Sequence, residues 1–252
     1  MSKYKLYNAN CMDILPTIDD ESIDCILCDL PYGANGSKWD KILPLDKLFK
    51  EYERIITDEG AILLNGTFKF GNRLFDVAPH LYKYEWVWEK PNGTNVPMVN
   101  YQPFRVHEFI YVFSKGRASH GKRTPIKYNP QKVQGKPYKI YARNKVEDGH
   151  WKGKLNRVWT DCEDGLRYPK SIQYFKKDKS KLHPNQKPAP MLEYFIKTYT
   201  DEGATVLDNC MGSGPTGVAC ANTNRKFIGI ELDEDYFKIA EDRIKGAYYE
   251  RL

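Results

Sequence analysis

Short apolar runs bounded by polar turn residues alternate with helical patterns along most of the chain. A helical pattern of apolar positions covers residues 45–56, between two of the apolar runs. The runs are short and rich in β-branched or aromatic residues, as expected of strands. Strands are therefore predicted at residues 4–7, 23–29, 61–65, 84–88 and 109–113.

The same alternation returns after His183. Helix 189–199 is followed by strand 204–208, a glycine turn, a further helix and strand 226–230. Asp233 is a candidate N-cap for a final helix. This succession of β and α segments indicates an α/β fold with a mixed, mostly parallel sheet.

Residues between Ser114 and Leu182 have a different composition. They are rich in Gly, Pro, Lys and Tyr and contain few continuous apolar runs. We therefore predict three parts: half of an α/β domain at 1–114, a basic insertion at 115–181, and the second half of the domain at 182–252.

Composition agrees with one folded domain that carries an insertion. The chain has 252 residues, of which 41% are hydrophobic, enough for a full core. The N-terminus is polar, and no apolar run approaches the roughly 20 residues that cross a bilayer. Six cysteines in a chain of this size suit a reducing compartment, and we expect a cytoplasmic protein without structural disulfides. Cys25 and Cys28 fall in a predicted strand and are expected in the core.

Positive charge is concentrated in the insertion. Residues 115–181 hold 19 Lys and Arg against 6 Asp and Glu, whereas the formal net charge of the whole chain is +6. Tyr and Trp are interleaved with these basic residues, a mixture that suits contacts with phosphates and bases. A solvated basic loop without a partner is the alternative.

The glycine turn after strand 204–208 has the features of a nucleoside site. Gly212 and Gly214 allow the backbone to approach a ligand closely, and Glu231 ends the next strand, where a carboxylate can accept hydrogen bonds from ribose hydroxyls. The turn lacks the full G-x-G-x-x-G and any G-K-[ST], so a cofactor without phosphates is favoured. An ordinary strand-to-helix turn is the alternative.

A second turn, Asp29-Leu30-Pro31-Tyr32, follows the predicted strand 23–29. An exocyclic base amine is a poor nucleophile because its lone pair is delocalised, and acceptors aimed at its hydrogens can hold it ready for attack. Asp29 offers a carboxylate, Leu30 a carbonyl kept extended by Pro31, and Tyr32 a face on which a flipped base can stack. A plain strand-terminating turn is the alternative.

These segments together resemble the beta group of DNA amino methyltransferases, which methylate adenine N6 or cytosine N4. Asp29 to Tyr32 resembles the family's [DNS]-P-P-[YFW] motif, with Leu30 in place of the first proline. Residues 208–217 resemble its cofactor loop, with Asn209 and Pro215 as departures. Residues 7–12, 106–110 and 183–188 resemble three further segments of the family, and the catalytic turn precedes the cofactor turn as in the beta group.

The resemblance implies a Rossmann-like methyltransferase fold, S-adenosylmethionine as cofactor, double-stranded DNA as partner, and an insertion that recognises the target sequence. It implies that Asp29, Leu30, Pro31 and Tyr32 hold the flipped target base. The cofactor site implied by the resemblance consists of Asn10, Cys11, Asp29, His183, Lys187, Asp208, Met211, Gly212, Gly214 and Glu231. No metal site is expected.

Several functions remain open from the sequence. Asp at the first position of the catalytic motif favours adenine N6, with cytosine N4 as the alternative. Methylation of RNA or of a protein amide is a second enzymatic reading, and a catalytically silent DNA-binding protein is a third. The sequence leaves the target sequence, the oligomeric state and a restriction–modification, phage or regulatory role undecided.

Overall fold

The computed structural model describes residues 3–33, 42–141, 159–176 and 186–249. Strands alternate with helices over most of this length. The helices are α1 (Cys11–Ile14), α2 (Leu45–Ile55), α3 (Phe68–Val77), α4 (Ala189–Tyr199), α5 (Pro215–Asn222) and α6 (Glu234–Tyr249). The strands are β1 (Tyr4–Asn8), β2 (Ile23–Cys28), β3 (Ile56–Gly66), β4 (Tyr82–Glu89), β5 (His107–Phe113), β6 (Val133–Gln134), β7 (Tyr138–Tyr141), β8 (Trp159–Cys162), β9 (Leu166–Arg167), β10 (Ile172–Tyr174), β11 (Thr205–Asp208) and β12 (Lys226–Glu231).

Eight of these strands form one sheet in the order β1-β12-β11-β2-β3-β5-β4-β10. Every neighbouring pair is parallel except for the two pairs that involve β5, which runs antiparallel to β3 and β4. This confirms the predicted α/β class with a mixed, mostly parallel sheet. The carboxyl ends of β2, β3, β11 and β12 consequently lie at one edge, where open α/β sheets bind ligands.

Two apolar clusters cover the two faces of this sheet. Ile26 and Leu64 belong to one cluster, and their strand neighbours Leu27 and Leu63 belong to the other. Alternate residues of β2 and β3 therefore face opposite layers, as the pleat requires. All six cysteines are free, and Cys25 and Cys28 are buried as predicted.

Helix α4 has the bounds predicted from its pattern, and Asp233 caps α6 by accepting hydrogen bonds from the amides of Asp235 and Tyr236 at 3.0 Å. Helix α3 and strand β10 were not predicted. Helix α3 has Gly71 in its middle and a low intrinsic helix propensity, so burial of Phe70 and Leu74 must stabilise it. Strand β10 has three residues and depends on pairing with β4.

The described chain divides into two compact units, Met1–Asn129 with Ser171–Leu252, and Pro130–Lys170. The second unit contains two antiparallel ladders, β6 with β9 and β7 with β8. It lies within the segment for which the sequence predicts an insertion, while residues 115–129 are part of the first unit. Among the described residues, no helix is both long and apolar enough to cross a membrane.

Candidate active site

The Asp29 turn begins where β2 ends, at the carboxyl edge of the sheet. Oδ2 of Asp29 lies 2.9 Å from Nζ of Lys187, and both side chains are largely buried. Leu30 is fully buried in the apolar core, so packing anchors the position at which the related motif has proline. Tyr32 is half-buried and packs against Phe70, with ring centroids 5.3 Å apart. The turn is therefore held from both of its ends.

Lys187 also connects Asp29 to a second carboxylate. Its Nζ lies 3.0 Å from Oε2 of Glu108, and the other oxygen of Glu108 lies 2.9 Å from Nζ of Lys90. Burial by itself would raise the pKa of Glu108, but Lys187 and Lys90 lower it below its ordinary value. Burial opposes the charge of Lys187, whereas Asp29 and Glu108 together raise its pKa. The four side chains form a buried row of alternating charge.

Asp208, at the end of β11, is held inside the glycine turn. Its carboxylate accepts hydrogen bonds from the Thr216 hydroxyl at 2.6 Å and from the Cys210 amide at 3.2 Å. Burial raises the pKa of Asp208 to about 6, although both hydrogen bonds act in the opposite direction. Asp208 thus ties the strand to the start of α5.

Glu231, at the end of β12, is held by two backbone amides. Oε2 accepts from Gly212 at 2.7 Å and Oε1 accepts from Asp233 at 2.9 Å. Burial raises the pKa of Glu231 above its ordinary value, against the effect of these amides. Each carboxylate oxygen has two lone pairs, so the group keeps acceptor capacity for a ligand.

The two glycines of the turn have different surroundings. Both adopt positive φ, 52° at Gly212 and 75° at Gly214. Gly212 lines a cavity, whereas a Cβ on Gly214 would lie 2.9 Å from side-chain atoms of Ala240 and Ile244. Gly214 thus allows α5 and α6 to pack closely, and it is not among the residues that line the cavity.

The cavity has a volume of about 640 Å³ and joins the Asp29 turn to the glycine turn. It brings together most of the residues singled out from the sequence. Those on its wall are Asn10, Cys11, Asp29, Leu30, Pro31, Tyr32, Lys187, Asp208, Met211, Gly212 and Glu231. Asn10 also caps α1, where its side chain accepts a hydrogen bond from the Met12 amide. His183 lies outside the described residues.

Several residues of the cavity wall were not singled out from the sequence, among them Asn65, Ser213, Leu232 and Tyr236. The signal that marks Asn65 is a polar residue that directly follows the apolar run of a central strand. Leu232 and Tyr236 follow β12, at the same edge as Glu231.

Three thiols near the cavity, those of Cys11, Cys28 and Cys210, have pKa values raised above the ordinary value. Burial raises the pKa of Cys28 to about 12, and a hydrogen bond with Cys210 together with burial raises that of Cys11 further. A neutral thiol is a weak nucleophile, so covalent catalysis by cysteine is disfavoured. Within the described part of the chain, no cluster of three His, Cys, Asp or Glu side chains has an arrangement that could hold a metal ion.

A family model described as DNA methylase, of the N6/N4 methyltransferase type, matches residues 23–242. The type II methyltransferase M.BglII of Bacillus subtilis is 28% identical over 96% of this chain and 69% of its own length. The type II methyltransferase M.HpaI of Haemophilus parainfluenzae is 25% identical over 97% of this chain and 75% of its own.

Solved structures of methyltransferases share the fold. The complex of M1.HpyAVI with SAM has a TM-score of 0.62 at 22% identity and covers 95% of this chain and 99% of that one. The PvuII DNA methyltransferase, which is cytosine-N4-specific, has a TM-score of 0.66 at 16% identity and covers 99% of this chain and 93% of that one. These likenesses confirm a Rossmann-like methyltransferase fold.

Proposed function

The chain belongs to the family of DNA methylases that modify N6 of adenine or N4 of cytosine, and on this premise we propose that it methylates adenine N6 in a base flipped out of double-stranded DNA. The observation that carries the proposal is the Asp29 carboxylate, fixed by Lys187 on the wall of a cavity that also contains Glu231. We further propose a restriction–modification role, which the type II methyltransferases among the relatives support.

The cofactor of this family is S-adenosylmethionine, which supplies a methyl group on an electron-poor sulfonium sulfur. The residues present fit it. The glycine turn carries no lysine for a phosphate, and the Glu231 carboxylate retains lone pairs for the two ribose hydroxyls. Gly212, Met211, Asn10 and Cys11 line the same cavity and would contact the nucleoside.

Asp29 holds the reacting amine. Its carboxylate accepts a hydrogen bond from one amine hydrogen and keeps the nitrogen lone pair directed at the methyl carbon. Bound S-adenosylmethionine would supply the methyl carbon to this lone pair, and its sulfur would keep the electron pair of the broken carbon–sulfur bond. The surplus proton on nitrogen passes to Asp29 and from there to water. Lys187 fixes the position of the Asp29 carboxylate before the step through their 2.9 Å ion pair.

Tyr32 supplies the stacking face for the flipped base. Its ring packs against that of Phe70, and this contact restrains the orientation of the Tyr32 ring. Stacking on an aromatic ring offsets part of the few kcal/mol that unstacking a base costs. Burial of the Leu30 side chain supplies the rigidity that proline supplies in the related motif.

The unit Pro130–Lys170 is the proposed target-recognition region, within the predicted insertion 115–181. Arg167 stacks over the Tyr138 ring at 4.1 Å, and Lys132 lies 4.6 Å from the centroid of Tyr168. Tyr168 is 68% exposed. Cations next to an exposed aromatic ring suit simultaneous contact with phosphates and bases.

The test is methyl transfer with identification of the product. The purified protein is incubated with isotopically labelled S-adenosylmethionine and unmethylated genomic DNA, and the labelled nucleoside is identified by mass spectrometry. We expect labelled N6-methyladenine from the wild type and none from Asp29→Ala, with Asp242→Asn on the exposed side of α6 as the matched control. Labelled N4-methylcytosine would show that the target base is cytosine and not adenine. Label found only in RNA or only in protein would show that DNA is not the substrate. Binding of DNA without any label would indicate a silent binder.

A further inference from the structure

The loop between β4 and β5, residues 90–106, begins at the same edge of the sheet as the Asp29 turn. Strands β3 and β4 are both antiparallel to β5, so the carboxyl end of β4 lies beside that of β3. Lys90 begins the loop and Glu108 follows it, and their ion pair of 2.9 Å continues through Lys187 to Asp29. The β4–β5 loop is therefore rooted next to the carboxylate proposed to hold the amine.

This loop concentrates apolar side chains in water. Tyr101 is 86% exposed, more than any other large hydrophobic residue that the structure describes, and Val96 and Met98 are more than half exposed. The other exposed apolar residues of the loop are Val99, Phe104 and Val106. All residues of the loop are described, and none of them lines the cavity. Apolar side chains exposed together indicate a contact surface, which here lies outside the cavity.

The β4–β5 loop has a defined shape. Val96–Met98 form a 3₁₀ turn, and the Tyr101 amide donates a hydrogen bond to the Met98 carbonyl at 2.9 Å. Asn95 braces the loop below this turn, because its Oδ1 accepts from the Arg105 amide at 2.7 Å and its Nδ2 donates to a carbonyl of the same limb at 3.0 Å. Met98 and Tyr101 thus lie at the tip of a loop whose backbone is already ordered, which lowers the entropic cost of binding.

The polar residues of the loop fit DNA better than a second copy of this chain. Between Lys90 and His107 the sequence contains no acidic residue that would repel a phosphate, and Arg105 is exposed. The amides of Asn100 and Gln102, which are exposed on either side of Tyr101, can form hydrogen bonds with base edges. The tip therefore combines an apolar ring with groups that bind bases and phosphates.

We propose that Tyr101 enters the duplex at the target site and stacks in the gap that the flipped base leaves. The inference rests on the proposed function, in which the target base leaves the duplex and reaches Asp29. Flipping removes the stacking of the target base on its two neighbours, and an inserted ring replaces part of it. Tyr32 then stacks on the flipped base inside the cavity, while Tyr101 stacks on the bases that stay in the duplex.

The test compares Tyr101→Ala and Tyr101→Phe with the wild type on a duplex that carries the target site mapped from genomic DNA. Because Tyr101 is exposed, we expect an unchanged Tm for both variants. With S-adenosylhomocysteine present, which has no methyl group to transfer, the dissociation constant of Tyr101→Ala should rise about 10-fold, a typical loss for one base–aromatic stack. Tyr101→Phe keeps the ring and should bind like the wild type.

Tyr249→Ala is the matched control, because Tyr249 is also an exposed tyrosine but ends α6. Its neighbour Tyr248 stacks on Tyr4, the first residue of β1, with ring centroids 5.1 Å apart. Tyr249 therefore lies at the amino edge of the sheet, opposite the cavity, and its loss should leave the affinity for DNA unchanged.

Fluorescence of 2-aminopurine at the target position tests insertion itself, since this base becomes brighter when it leaves the stack. The wild type and Tyr101→Phe should raise the fluorescence, and Tyr101→Ala should raise it much less. Weaker binding by Tyr101→Ala with a wild-type fluorescence change would overturn the proposal, because the ring would then contact only the outside of the duplex.

Two further outcomes would also overturn the proposal. Wild-type affinity and fluorescence in Tyr101→Ala would exclude insertion of the ring. If that variant in addition lost a dimer seen by sedimentation of the wild type, the exposed tip would be assigned to a second copy of the chain. Both outcomes leave the proposed function intact as long as the wild type labels DNA, whereas a wild type that labels no DNA would overturn the proposed function and the inference with it.

Discussion

The ammonium group of Lys187 lies 2.9 Å from the carboxylate of Asp29 and shares its charge with Glu108, 3.0 Å away on β5. Asp29, directly after β2, and Glu108, on β5, therefore share one buried cation, and Glu108 has Lys90 as a second partner. Removal of that cation leaves like charges facing each other in a poorly solvated site, an arrangement that is strongly unfavourable.

We expect Lys187→Met to lower the free energy of unfolding by about 2–4 kcal/mol and to reduce turnover, because Asp29 loses the group that fixes it. Asp29→Asn added to Lys187→Met should recover part of the stability, since it removes the like charge that faces Glu108, while Glu108 keeps its ion pair with Lys90. Chemical denaturation of both single variants and of the double variant measures the coupling. Additive effects would show that Lys187 and Asp29 do not act together.

Glu231→Gln should weaken cofactor binding. Glutamine keeps one acceptor oxygen but turns an NH₂ group towards a backbone amide, either that of Gly212 or that of Asp233. We expect KM for S-adenosylmethionine to rise about tenfold, with a smaller change in kcat. Equilibrium binding of the cofactor provides the direct measurement, and an unchanged dissociation constant would remove Glu231 from the cofactor site.

Much of the fold could be predicted because its signals are local. Helix α4 and strands β2, β11 and β12 have apolar patterns and turn residues within their own segments. Helix α3 and strand β10 lack such signals, since their stability comes from contacts with distant parts of the chain. Pattern reasoning is limited in this way wherever tertiary packing outweighs intrinsic propensity.

The same division applies to the site. Asp29 and Gly212 follow strands and Glu231 is the last residue of one, and their meeting at one edge follows from parallel pairing. The contact between Lys187 and Glu108 joins residues that are 79 positions apart. Asn65 is marked in the sequence only as a polar residue after the apolar run of β3, and that signal does not show that it lines the cavity.

The unit Pro130–Lys170 leads to a prediction about how DNA affinity depends on salt concentration. Lys132 lies over an exposed tyrosine, and its ammonium group is expected to neutralise a phosphate. Lys132→Ala should weaken DNA binding similarly for all sequences and reduce the slope of log K against log salt by about 1. Lys5→Ala, at an exposed position of the edge strand β1, is the matched control and should leave the slope unchanged. Equal slopes for all three proteins would exclude a phosphate contact by Lys132.

Because Asp208 is buried, we expect the stability of the protein to depend on pH. Its pKa is about 6 in the folded protein because of burial, above the ordinary value of 3.8. The folded state thus binds this proton more tightly than the unfolded state, so the stabilising contribution is present at low pH and lost as pH rises through 6. Relative to Asp208→Asn, the wild type should lose about 1 kcal/mol of stability between pH 5 and pH 8. Thermal unfolding at the two pH values measures the difference, and a parallel response of both proteins would contradict it.

Gly214 and Gly212 provide a final contrast, because the resemblance assigned both to the cofactor while the structure places Gly214 against α6. Alanine at 214 would be strained by the positive φ and would press on Ala240 and Ile244. Gly214→Ala should therefore destabilise the fold by about 1–3 kcal/mol and leave the cofactor dissociation constant of the folded protein unchanged. Gly212→Ala should weaken cofactor binding, since it adds a methyl group in the turn that lines the cavity and donates to Glu231. Calorimetric titration and thermal unfolding of the two variants separate these effects. Weaker cofactor binding by Gly214→Ala at wild-type stability would show that Gly214 belongs to the cofactor site after all.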